Sequence, residues 1–219
     1  MRFKAVAFDV DGTLYPNALM YIRSVGFALT HVRLLRAYSR VRREVRQIRP
    51  LDDLRATEAR MLADRLGVSD EEASRQINEE IHLRWEATLD SVPLFPHVRS
   101  VLHQLRDAGL RMGVVSDFPV ERKLARLSLD KLFDCSLWSE DTGYLKPHPE
   151  PFLEIARLLD VPAPEVLFVG NSYSYDVLGA HGVGMGAAHV ARRPAENTIA
   201  DFTFFDYRDL ASWVLDSLE

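Results

Sequence analysis

A chain of 219 residues with 47% apolar side chains and a net charge of −5 can bury one core, or a core with a smaller inserted domain. The acidic balance argues against a general affinity for nucleic acid or anionic membranes, and no stretch approaches the ~18 apolar residues of a membrane span. Cys135 is the only cysteine, which excludes an internal disulfide and leads us to expect a small core residue in a reducing, cytoplasmic setting.

Residues 5–8 form a short apolar run, the pattern of a strand buried on both faces of a parallel sheet. Asp9 and Asp11 follow at once, and they interrupt any apolar run of the signal-peptide kind. In extended backbone, residues i and i+2 point the same way, so two carboxylates face one crevice. That is costly unless something positive joins them, such as a divalent cation. A calcium loop does not explain the pair: its glycine would fall two residues after Gly12, and its twelfth position is Met20 instead of a glutamate. Gly12 allows a tight turn that the Thr13 hydroxyl can fix.

From residue 17 to about 89 no strand signal appears. Residues 51–66 read as a helix closed by Gly67. Ser69, Asp70, Glu71 and Glu72 form a capping box for another helix, which carries Ala73, Ile77, Ile81, Trp85 and Leu89 on one side. Before them, Arg33, Arg36, Arg40 and Arg43 share a helical stripe, with Arg42, Arg46 and Arg49 beside it. Leu34, Tyr38, Val41, Val45 and Ile48 form an apolar seam at spacings of four and three. Three readings of the arginines stand: a solvated face, a basic wall for a strongly anionic substrate, or a partner interface, a homodimer through this helix included. The 93–96 stretch, with a proline at each end, reads as a returning linker.

Beyond it, helices are expected over 97–108, 151–159 and 176–181, alternating with apolar runs at 112–115, 166–169 and 186–190. The alternation predicts an α/β fold, a doubly wound parallel sheet with an all-helical insertion over the carboxyl ends of its strands. The boundaries expected are 1–14 and 93–219 for the core and 15–92 for the helical cap. Glycines 182, 184 and 186 imitate a dinucleotide fingerprint but lie between a helix and a strand, the reverse of the required order, and read as a helix end.

Polar residues close the other strands. Ser116 and Asp117 end the second run, Lys146 lies in a loop stiffened by Pro147 and Pro149, and Asn171 to Asp176 follow the 166–169 run. With "DVDGTL" at residues 9–14 and "KPHP" at 146–149, the sequence resembles the haloacid dehalogenase-like hydrolase superfamily over nearly its whole length. The helical block is similar to the α-helical cap of one large subgroup. The resemblance implies a Rossmann-like core and, in most members, a phosphatase. It implies Asp9 as nucleophile, Asp11 as general acid/base, and Ser116 and Lys146 as phosphoryl-holding groups, with Gly12, Thr13 and Asp117 in the substrate-binding set. It also implies Mg²⁺ near Asp9, the Asp11 carbonyl and the Asn171–Asp176 motif. Dehalogenase members lack the second aspartate, so Asp11 favours phosphoryl chemistry. The expected substrate is a small phosphorylated metabolite, with Asp11 raised in pKa by its neighbour. Asn171 departs from the family's usual aspartate, a metal ligand. That departure keeps open a catalytically weak phospho-ligand or protein-binding module, and a phosphomutase on the same scaffold is a third reading.

Overall fold

The computed structural model describes residues 3–217. The ends of the expected core ranges, 1–2 and 218–219, lie outside the described residues. The chain enters through β1 (Ala5–Phe8) and then makes six short or medium helices. These are α1 (Asn17–Arg23), α2 (Val25–Thr30), α3 (Val32–Val45), α4 (Leu54–Leu66), α5 (Asp70–Arg75) and α6 (Arg84–Ala87). A π-helical stretch, Gln76–Leu83, joins the last two. There follow α7 (Val98–Asp107), β2 (Arg111–Ser116), α8 (Glu121–Arg126), β3 (Cys135–Trp138), α9 (Pro149–Leu158) and β4 (Val166–Gly170). The chain closes with α10 (Leu178–Gly182), β5 (Gly186–Val190), β6 (Phe202–Phe204) and α11 (Tyr207–Asp216).

All six strands are parallel, in the order β3-β2-β1-β4-β5-β6. Chain order reverses beside β1, which makes the carboxyl end of that strand the crevice where doubly wound sheets bind ligands. Phe8 pairs with Val114 on one side and Val169 on the other, so the residues following β1, β2 and β4 emerge level with one another. Side chains alternate between two cores. Val6 and Phe8 join Val114, Val169 and residues of α7 and α11, whereas Ala5 and Ala7 join Val115, Phe168 and residues of α9 and α10.

The four anticipated strands are present. Two were missed: β3 and β6, the sheet's outermost strands, which are short and only partly buried. Cys135 lies in β3 as a half-buried free thiol. The helix read over 51–66 starts at Leu54 because the Asp53 side chain accepts from Ala56 N, and left-handed Gly67 ends it. The helix read over 176–181 is preceded by a π turn, Tyr173–Val177, which the Ser172 side chain caps through Tyr175 N. Only half of the capping box is used as drawn. Ser69 Oγ accepts from Glu72 N, while the Glu72 carboxylate turns to Arg75 and Gln76.

The helical insertion has a core of its own, in which Leu34, Tyr38 and Val41 of α3 pack on Leu62, Ala73, Ile77 and Ile81. Val45 meets Leu54 and Leu145, tying the insertion to the loop before Lys146. The α3 seam is thus consumed within the chain, and Ile48 lies beyond the helix end, exposed. No helix among the described residues is long and apolar enough to cross a membrane.

Candidate active site

The sheet delivers its functional side chains to a cavity of about 660 Å³ between strand ends and helical insertion. Asp9 follows β1 and is held on both carboxylate oxygens, Lys146 Nζ donating to Oδ1 at 2.7 Å and Thr13 Oγ1 to Oδ2 at 2.8 Å. Lys146 Nζ also donates to Asp176 Oδ1 at 2.7 Å, and Ser172 N donates to the other Asp176 oxygen. Two glycines make this crowding feasible. A Cβ on Gly170 would lie 2.4 Å from the Asp176 side chain. One on Gly12, whose φ is +89°, would lie 2.4 Å from Asn171 Nδ2.

Asp11 has a different surrounding. One oxygen accepts from Lys123 Nζ at 2.6 Å and Ser116 Oγ at 3.0 Å, the other from Trp85 Nε1 at 2.9 Å and from the Tyr15 hydroxyl. Burial pushes the Asp11 pKa up, but the Lys123 charge and the bonds from Lys123, Tyr15 and Trp85 outweigh it, so Asp11 is held below its ordinary value. The expectation of a raised Asp11 is therefore corrected. The raised carboxyl is Asp9, at about 7, through burial and the charges of Asp176 and Asp11, against the opposing pull of Lys146. Lys146 loses affinity for its proton by burial and regains more from Asp176, Asp9 and Asp117, so it stays charged.

Asp117 does not offer a free carboxylate to a substrate. Arg46 of the insertion donates to its Oδ2 at 2.6 Å and Lys146 N to its Oδ1, and the charges of Lys146, Arg46 and Arg42 bring it to about 2 against burial. Ser116 is fully buried, its hydroxyl given to Asp11. Asn171 lines the cavity, its Oδ1 3.3 Å from Thr13 Oγ1. The site residues picked from sequence are thus gathered in one place. The sequence does not single out Lys123, Tyr15 or Trp85 as site residues, and it shows Arg42 and Arg46 only as members of the arginine set. Trp85 was read as a core residue of its helix, and Lys123 carries no local signal beyond its position after β2.

The arginine face divides in two. Arg33, Arg36, Arg40 and Arg43 are exposed, as a solvated stripe requires, whereas Arg42 is buried between Glu58, at 2.8 Å, and Glu140, and donates to the Asp117 carbonyl. Arg46 donates also to the Lys146 carbonyl and lies 4.4 Å over the Tyr175 ring. Replacing Arg42 with methionine should cost about 3–5 kcal/mol at pH 8, because two buried carboxylates lose their counter-charge. Burial first, then Glu58, already raise Glu140 to about 7 in spite of Arg42. A carboxyl raised on folding contributes stability that is complete below about pH 4.5 and lost as pH rises through 7. The Arg42→Met deficit should therefore shrink at pH 5. Urea midpoints of both proteins at the two pH values check this, and an equal deficit at both would exclude Glu140 as its source.

The donor set suits a small hard cation. Asp9, Asp176 and the Asn171 amide offer oxygen donors at adjacent strand ends, and the crowding of Asp9 by two other carboxylates is a repulsion that a cation would relieve. Among the described residues no three acidic, histidine or cysteine side chains form a complete cage, so backbone, water or substrate oxygens would share the coordination.

The sequence model of the haloacid dehalogenase-like hydrolases matches residues 3–184. The chain belongs to that family. Among its family relatives, a phosphoglycolate phosphatase of Mannheimia succiniciproducens is 27% identical, over 95% of this chain and 97% of that one. A ribulose-1,5-bisphosphate 5-phosphatase of Halopiger xanaduensis is 30% identical, over 83% and 82%. In three dimensions the chain is similar to a 2-haloacid dehalogenase of Pseudomonas syringae, with a TM-score of 0.70, 26% identity and coverage of 99% and 100%. It is also similar to a HAD phosphatase of Thermococcus onnurineus, with a TM-score of 0.64, 25% identity and coverage of 97% and 98%. Both chemistries of the family thus share this fold.

Proposed function

We propose that the protein is a Mg²⁺-dependent phosphatase that hydrolyses a small phosphorylated metabolite through an aspartyl-phosphate on Asp9. The observation that carries this reading is the second carboxylate: Asp11, held by four donors beside Asp9, is a proton-transfer group that acyl-ester chemistry alone does not need. The phosphatases among the relatives support the same branch. A cytoplasmic setting accords with the single free thiol of Cys135.

Lys146 and Thr13 fix the Asp9 carboxylate at the cavity floor, and the ammonium offsets phosphoryl charge as the nucleophile approaches. The Asp9 oxygen forms a bond to phosphorus in line with the breaking bond to the leaving oxygen. A phosphate monoester has a second pKa of about 6, so its monoanion can bring the proton that passes through Asp11 to the leaving oxygen. Water then attacks phosphorus, Asp11 takes its proton, and Asp9 and inorganic phosphate are released. Asp11, held ionised, suits this second step best. Mg²⁺, held by Asp9, the Asp11 carbonyl, Asn171 and Asp176, would supply further neutralisation of phosphoryl charge. In this reading residues 15–92 are a cap domain on a core of 1–14 and 93–219.

Phosphate release across sugar phosphates, nucleotides, phosphoglycolate and an aryl phosphate, with and without Mg²⁺, tests the proposal. Release from none of them would leave a phospho-ligand-binding role, the reading that the uncharged Asn171 favours. Asn171→Asp, nearly isosteric, should lower the half-saturating Mg²⁺ concentration roughly ten-fold, since a full charge replaces a dipole. A Mg²⁺ titration of both proteins at one pH reads this directly. Equal half-saturation would remove Asn171 from the ligand set.

A further inference from the structure

The exposed arginines of α3 do not end at the surface of the helix. Arg33, Arg36, Arg40 and Arg43 of α3 and Arg65 of α4 line one groove of about 850 Å³, and no carboxylate lines it. Arg65 is paired with Glu44, and Arg33 donates to the Leu66 carbonyl. Among the described residues Arg36, Arg40 and Arg43 have no carboxylate partner, although the chain as a whole carries net charge −5. Positions 33, 36, 40 and 43 share one face, so like charges stand three and four residues apart, which weakens an isolated helix. Arg33 at the helix start opposes the macrodipole as well.

The groove adjoins the active-site cavity. Leu35, Ser39 and Arg43 line both. The cavity is also lined by uncharged rings, Tyr21 and Trp85 at 5.6 Å and Trp85 and Phe118 at 6.4 Å between centroids, an apolar wall against which an uncharged spacer can lie. The arginines nearer the floor, Arg42 and Arg46, are already spent on Glu58, Glu140 and Asp117. An anionic group that reaches the groove would therefore meet guanidinium groups with no counter-ion.

We infer that the groove is the subsite for a second phosphoryl group, so that the substrate is a phosphate monoester bearing a further phosphate or pyrophosphate across an uncharged spacer. This rests on the phosphatase reading for the word substrate, while the anion specificity of the groove can be measured without turnover. The probes are inorganic tripolyphosphate and orthophosphate, titrated calorimetrically against the full chain at low and physiological ionic strength. Tripolyphosphate should bind at least about ten-fold more tightly, with the gap narrowing as salt rises. Arg36→Gln/Arg40→Gln should abolish the gap and Arg36→Lys/Arg40→Lys should retain most of it, and because both residues are exposed the variants should fold as the parent does. Tripolyphosphate should inhibit aryl phosphate hydrolysis competitively, and a sugar bisphosphate should exceed the matching monophosphate in kcat/KM, mainly through KM. Equal affinity for the two anions, a gap that survives the double glutamine variant, or binding without competition would overturn the inference. A chain that binds tripolyphosphate in this way but hydrolyses no ester would keep the groove and contradict the phosphatase reading alone.

Discussion

Asp9→Asn should fold normally and lose turnover by at least about 10⁴-fold, because the amide cannot take the phosphoryl group. Stability should move the other way. Asp9 is raised to about 7 by burial and by its acidic neighbours, against Lys146. A carboxyl raised on folding contributes stability that is complete below its unfolded value near 4 and lost as pH rises through 7. The neutral amide removes that loss, so the variant should melt no lower than the parent at pH 6 and higher at pH 8. Initial rates and melting curves at both pH values check the pair of effects. Activity within ten-fold of the parent would remove Asp9 as nucleophile.

Lys146→Ala should damage both properties. The ammonium bridges Asp9 and Asp176 at 2.7 Å each, with only 3% of the residue exposed. Its loss leaves two buried carboxylates facing each other, at a cost of about 3–5 kcal/mol in stability above pH 7. Turnover should fall by about 10²–10³-fold from uncompensated phosphoryl charge alone. Part of the stability should return below pH 6, where Asp9 accepts a proton. Urea denaturation at pH 5.5 and 8 separates this from a cavity effect, which would be the same at both. A variant as stable as the parent at pH 8 would contradict the ion triad.

These effects were only partly legible in the sequence. Asp9, Asp11, Ser116 and Asp176 could be found because each ends or follows a buried apolar run, and parallel strands deliver such residues to one edge, whereas Lys146 was legible only through its proline-flanked loop motif. β3 and β6 escaped because outer strands are short and carry polar or aromatic residues on partly exposed faces. The charge state of the two aspartates also escaped. It depends on Lys123, 112 positions from Asp11, and on Trp85 from the helical insertion. Periodicity set Arg42 and Arg46 beside the arginine stripe but named neither partner, since Asp117 and Glu140 lie 71 and 98 residues further on. A helical stripe in sequence shows which residues share a face. Which members of that face are solvated and which are buried is decided by tertiary packing.

If Asp9 carries the phosphoryl group, chemical trapping should catch it there. An ester turned over by the parent is mixed with Asp11→Asn, in which the second step should be the slower, and the acid-quenched protein is reduced with borohydride. An aspartyl-phosphate is converted to homoserine, so peptide mass spectrometry should find homoserine at position 9, only when substrate was present. Unmodified Asp9 in a protein that is releasing phosphate would mean direct attack by water and would remove Asp9 as nucleophile.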